Sequence, residues 1–123
     1  MFLEETLDKI LKRYEFLKEQ MLANANDSEN FIKLSKEFSD LEDFANLINL
    51  YNKTKSELSE LQSALEDPAT DEDFKELAKE EIGKLQEKIP QLQKELKIML
   101  IPKDEADEKN AIIEIFLFNI HII

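Results

Sequence analysis

Gly83 is the only glycine in 123 residues. Tight hairpins, β-rich folds and loops that cradle phosphate need backbone positions at positive φ, which residues with a side chain resist. One glycine leaves this chain almost none of them. Gly-rich nucleotide sites are therefore excluded, and long helices are favoured. With 42% apolar and 36% charged residues, the chain can build a core, but only a narrow one. At this length a single domain is the prior.

Absence of cysteine removes disulfide frameworks, thiolate metal sites and cysteine nucleophiles. The opening MFLEETLDK carries two acids before its first base, unlike the basic n-region of a signal peptide, so a cytoplasmic protein is expected. The longest apolar runs, Ile98 to Pro102 and Ile115 to Phe118, fall far short of the ~20 residues that span a bilayer. No membrane partner is expected. A formal net charge of −12 repels nucleic-acid phosphate and anionic lipid over roughly a Debye length, about 8 Å at physiological salt. Direct sequence-specific nucleic-acid binding is therefore not expected, and any approach to a ribonucleoprotein should be through basic protein.

Apolar residues at Leu3, Leu7, Ile10, Tyr14, Leu17 and Met21 alternate steps of four and three, the seam of a helix that packs on other helices. This predicts a first helix over about 3–22. Asn24 to Glu29 (NANDSE) reads as a reversal in which Asp27 or Ser28 caps the next helix. The second seam runs through Phe31, Leu34, Phe38, Leu41, Ala45 and Ile48, then Tyr51, Leu58, Leu61 and Leu65. It predicts a helix over about 29–66 with a weak middle, because Asn52 and Lys55 stand where apolar residues belong. Such a polar position either fixes register or marks where a long helix projects past its partner.

Asp67 before Pro68 stops that helix, since a residue preceding proline is pushed out of the α region, and Thr70 or Asp71 is placed to cap the third. The third seam is Phe74, Ala78, Ile82, Leu85, Ile89, Leu92, Leu96 and Met99, over about 72–100. Pro90 cannot donate to Gln86, so a kink is expected there. The fold class expected is all-α, an antiparallel three-helix bundle or set of coiled-coil-like hairpins, occupying residues 1–101. Phe31, Phe38 and Phe44, with Phe74, Ile82 and Ile89, are expected to build its core. Residues 102–110 read as an acidic connector. Residues 111–123 (AIIEIFLFNIHII) are rich in β-branched and aromatic types and read as an orphan β-type segment, the start of a strand domain cut short.

Catalytic chemistry finds little support. His121 is the only histidine, and no second imidazole or thiol exists to complete a metal set. A carboxylate-bridged di-iron bundle needs two Glu-x-x-His motifs. A helical mutase acting on a dicarboxylate needs converging cations, whereas Arg13 is the only arginine. No catalytic, cofactor or metal residues are therefore assigned, and the chain is not expected to be an enzyme. Glu66, Asp67, Asp71, Glu72 and Asp73 cluster at the turn between the second and third helices, with no base until Lys75. They suit the positive N-terminus of the third helix and a solvated tip, and they also form a possible docking tip for a basic protein surface.

The stretch from Leu100 to Ile115, LIPKDEADEKNAIIEI, resembles the bacterial class I peptide chain release factors, the release factor one type above all. Pro102, Lys103, Asp104, Asp107, Glu108, Asn110, Ala111 and Glu114 match the family's junction between an acidic three-helix N-terminal domain and the first strand of its core. Helix packing does not demand that spacing. The resemblance spans residues 1 to 115 and fails from Phe116, where the family continues with a Gly-rich stretch and this chain reads FLFNIHII. It implies an N-terminal domain that reaches toward the stalk-base proteins of the ribosome and takes part in interplay with the recycling GTPase. The stop-codon tripeptide and the Gly-Gly-Gln loop of the family have no counterpart in this chain. A truncated release-factor N-terminal domain, which does not terminate translation alone, is the first expectation. The alternative is a stand-alone helical protein that self-associates through its seams.

Overall fold

A computed structural model describes residues 2–101, and within them the chain is all-α, with three helices and no strand. The connector, the β-type segment, His121 and all eight junction residues lie outside the described residues. Helix α1 is Phe2–Ala23, α2 is Ser28–Glu66 and α3 is Glu72–Met99.

Local chemistry sets the ends. After α1, Asn24 folds back so that its backbone N–H and its side-chain amide both donate to the carbonyl of Gln20, at 2.9 and 2.7 Å. Asp27 then caps α2: one carboxylate oxygen accepts from the Asn30 backbone N–H at 3.3 Å, and the other accepts from the Asn30 side chain at 2.8 Å. Helix α2 ends at Glu66, with Asp67 in extended backbone (φ −79°, ψ 117°), as a residue before proline must be. At α3 the expectation of a side-chain cap is corrected. Asp71 occupies the N-cap position, but its carboxylate makes no cap hydrogen bond; only its backbone carbonyl accepts, from Lys75 N–H at 2.9 Å. Helix α3 continues through Pro90, and the Gln86 carbonyl left without that donor belongs to an exposed residue.

Chain directions follow from side-chain pairs. Glu4 meets Tyr51 and Lys55 while Arg13 meets Glu37, so α1 runs against α2. Tyr51 meets Gln93 while Leu61 lies beside Ala78, so α3 also runs against α2. Both flanking helices pack on α2, α3 more extensively than α1. They overlap along it only in part, and there the core draws on all three: Leu7, Ile10 and Leu17, then Leu41, Phe44, Ile48 and Tyr51, then Leu92 and Leu96. Tyr14 stacks on Phe38 at 4.4 Å between ring centroids, and Arg13 forms a two-bond fork on Glu37 at 2.6 and 2.8 Å. Together these fix the register of α1 on α2.

Two core expectations are corrected. Phe31 and Phe74 are exposed, at 37% and 47%, because each lies where only one other helix opposes it. Phe44 and Ile82 are buried, and Phe38 and Ile89 pack at the margin of the core. The weak middle of α2 is also resolved. The seam passes through Tyr51 and the buried Thr54, whose hydroxyl donates to the Leu50 carbonyl at 2.8 Å, while Lys55 leans out to Glu4.

Candidate functional site

The turn between α2 and α3 brings the five expected acids to one end of the molecule. Glu66, Asp67, Asp71, Glu72 and Asp73 are all exposed. Asp67 organises the turn, with its carboxylate accepting from Ala69 N–H at 2.9 Å and its carbonyl from Thr70 N–H at 3.1 Å. Glu72 and Asp73 occupy the first turn of α3, where the helix macrodipole favours negative charge. Lys75, the first cation after the cluster, has its ammonium 3.8 Å from Glu72. At this exposure and distance the pair contributes little to stability. Among the described residues no group of three or more His, Cys, Asp or Glu could hold a metal ion.

Beside the tip an open groove of about 340 Å³ runs between the two helices, lined by Leu61, Phe74, Leu77, Ala78, Glu80, Glu81 and Lys84. Leu77 is 66% exposed. The sequence reading missed this groove because it assigned Phe74 to the core. The signal was present in the pair Leu77 and Ala78: two adjacent apolar residues widen the face beyond the seam, and only one of them turns inward.

A second polar feature joins all three helices. The Tyr51 hydroxyl donates to Glu4 Oε1 at 2.5 Å and accepts from Gln93 Nε2 at 3.0 Å. Lys55 Nζ donates to the other Glu4 oxygen at 2.7 Å and sits 4.4 Å from the centroid of the Tyr51 ring. Burial pulls the Glu4 carboxyl upward, but the hydrogen bonds from Lys55 and Tyr51, with the Lys55 charge, outweigh it and leave the group below its ordinary range. Burial, with the bond to Glu4, pushes the Tyr51 phenol up. Both charged partners are part-exposed, and the node ties α1 and α3 to the middle of α2. Sequence reading had flagged Lys55 only as a defect in the seam.

An acidic chain, all-helical over its described residues and with a charged tip, is the class the geometry defines. The chain belongs to the PCRF domain family, which it matches over residues 10–116. Among curated proteins, it is 46% identical over 111 residues to "Peptide chain release factor 1" of two strains of Rickettsia bellii, covering 90% of this chain and 31% of each relative. It is 39% identical over 112 residues to "Peptide chain release factor 1" of Bartonella tribocorum, covering 91% of this chain and 31% of the relative. The chain thus spans about a third of the length of the curated relatives it matches. No solved structure matches it. The resemblance carried by Leu100 to Ile115 therefore extends through the helical region.

Proposed function

We propose that this chain is the N-terminal, ribosome-docking portion of a class I peptide chain release factor and serves translation termination. The observation that carries this reading is the identity to release factor 1 along nine-tenths of the chain. On this reading residues 1–101 form an antiparallel three-helix domain, residues 102–110 an acidic connector and residues 111–123 the start of a strand domain. The junction residues Pro102, Lys103, Asp104, Asp107, Glu108, Asn110, Ala111 and Glu114 link the two. The exposed acids Glu66, Asp67, Asp71, Glu72 and Asp73 are the docking tip, and the partner is a basic protein surface at the ribosomal stalk base, with the recycling GTPase as a second contact.

The setting is cytoplasmic. Consistent with this, no helix among the described residues is long and apolar enough to cross a membrane. One glycine cannot supply a Gly-Gly-Gln loop, so these 123 residues do not hydrolyse peptidyl-tRNA by themselves. Charge supports contact through protein: at −12 the chain is repelled by bare RNA and attracted by lysine-rich protein surfaces.

Ribosome co-sedimentation over a salt series, with an intact release factor as competitor, tests the proposal. The expected result is binding that weakens with salt and is displaced by the intact factor. Absence of binding at low salt overturns the docking role.

A further inference from the structure

The groove beside the tip has a shape and a charge that together select one kind of occupant. Helix α1 begins at Phe2 and reaches α2 only as far as Lys55, through Glu4. Beyond that level, among the described residues, α2 and α3 form a two-helix hairpin with nothing laid across its face. That face carries Leu61, Phe74 and Leu77, the last two among the large apolar side chains left open to solvent. The floor is Ala78, whose small side chain leaves the depression. Between Glu57 and Lys84 the chain holds ten Asp and Glu against three Lys, so the apolar strip lies inside a strongly negative field.

We propose that this groove takes the apolar face of a cationic amphipathic helix presented by a partner protein. The proposal deepens the docking role described above and rests on it for the surface being a contact surface at all. A groove between two helices accommodates a third laid along it, with anchors at i, i+3 and i+4 entering the depression. At about 340 Å³ it is at the lower end of binding-site volumes, enough for one or two large apolar side chains. Lysines flanking those anchors would face Glu80, Glu81 and the acids of the tip. A second copy of this chain is disfavoured, because each copy carries −12 and the acidic strips would be juxtaposed. Nucleic acid and anionic membrane are repelled for the same reason.

Two fluorescein-labelled peptides of about 18 residues, long enough to form a helix, provide the probe. Both contain leucine and lysine in equal composition, one with leucines on a single helical face and one scrambled. Fluorescence anisotropy against the full chain is expected to show the amphipathic peptide binding at least roughly tenfold more tightly than the scrambled one. Leu77→Ser is expected to abolish that preference, while Leu22→Ser, at a residue just as exposed but remote from the groove, leaves it intact. Both substitutions are on the surface, so circular dichroism should report unchanged helix. Equal binding of the two peptides, or equal effects of the two substitutions, overturns the proposal. Concentration-dependent dimerisation of the free chain that Leu77→Ser removes would overturn it in favour of a second copy. Ribosome co-sedimentation separates the two readings. Groove-specific peptide binding without ribosome binding upholds the groove and sinks the docking role. Ribosome binding with no peptide preference does the reverse.

Discussion

Replacing Tyr51 with Phe isolates the hydroxyl that joins all three helices. The ring remains, with its burial and its contact to Lys55, and two hydrogen bonds are lost, to Glu4 and from Gln93. A buried hydrogen bond contributes about 0.5–1.5 kcal/mol net, and more with a charged partner. Here the Glu4 side chain is 41% exposed, so water takes over much of what the hydroxyl leaves. The expected loss is therefore about 1 kcal/mol in all, a fall of roughly 4–8 °C in Tm for a domain of this size. By contrast, Tyr51→Ala also removes the ring from the core and is expected to cost about 3–5 kcal/mol. Urea titration followed by circular dichroism measures both, and a double-mutant cycle of Tyr51→Phe with Glu4→Gln extracts a coupling of roughly 0.5–1 kcal/mol. The coupling is pH-dependent with a definite sign. Because the folded Glu4 carboxyl lies below its ordinary 4.5, its contribution is complete above that pH and is lost as pH falls through the folded value. A coupling indistinguishable from zero at neutral pH, or one that grows on acidification, would refute the assignment of the node as a charge-assisted tie.

Gly83→Ala is expected to stabilise the chain by about 0.5–1 kcal/mol, since a Cβ there meets nothing within 4 Å; thermal unfolding reports it, and destabilisation would contradict the helical geometry at that position. Asp27→Ala should cost about 1 kcal/mol while Asp71→Ala costs clearly less, because only Asp27 accepts a cap hydrogen bond through its side chain; equal losses would refute the distinction. Phe44→Ala, at full burial, should cost roughly 3–5 kcal/mol in denaturant titration, and a loss under about 1 kcal/mol would dispute its place in the core. With two tyrosines and no tryptophan, alkaline difference absorbance reads the phenols alone. Burial, joined by the nearby charges of Glu42 and Glu15 at Tyr14 and by the bond to Glu4 at Tyr51, places both above the ordinary value of 10. The neutral phenols' contribution is present below pH 10 and lost as pH rises through the folded values; titration of either at or below 10 in the folded chain would contradict this.

The three helices were legible because steps of three and four in apolar position are the direct trace of one buried face. The breaks were legible too: Asp67-Pro68 forbids continuation, and Asp27 is a residue type that caps. Periodicity states which face is apolar but not whether anything covers it, which is why Phe31 and Phe74 read as core and are exposed. It also treats polar residues as defects. Thr54 satisfies its hydroxyl on its own helix and so enters the core, and Lys55 is paired by a residue 51 positions away. No local pattern announces such a partner. The groove went unread for the first of these reasons: its openness depends on where α1 begins relative to α2, a tertiary fact. The acidic tip, by contrast, was visible, since its five acids are near neighbours in sequence.

Helix α2 has 39 residues, a rod of about 58 Å at 1.5 Å per residue, clamped by other helices mainly around Tyr51 and Phe44. From Tyr51 to Glu66 it extends roughly another 23 Å, and past Lys55, among the described residues, α3 alone lies beside it. Such a geometry is a lever. A tilt of about 10° at the clamp would displace the acidic end by roughly 4 Å. A clamp of this kind couples the two ends in both directions: a small change of packing at the node would shift the acidic end, and charge acting at that end would exert torque on the node.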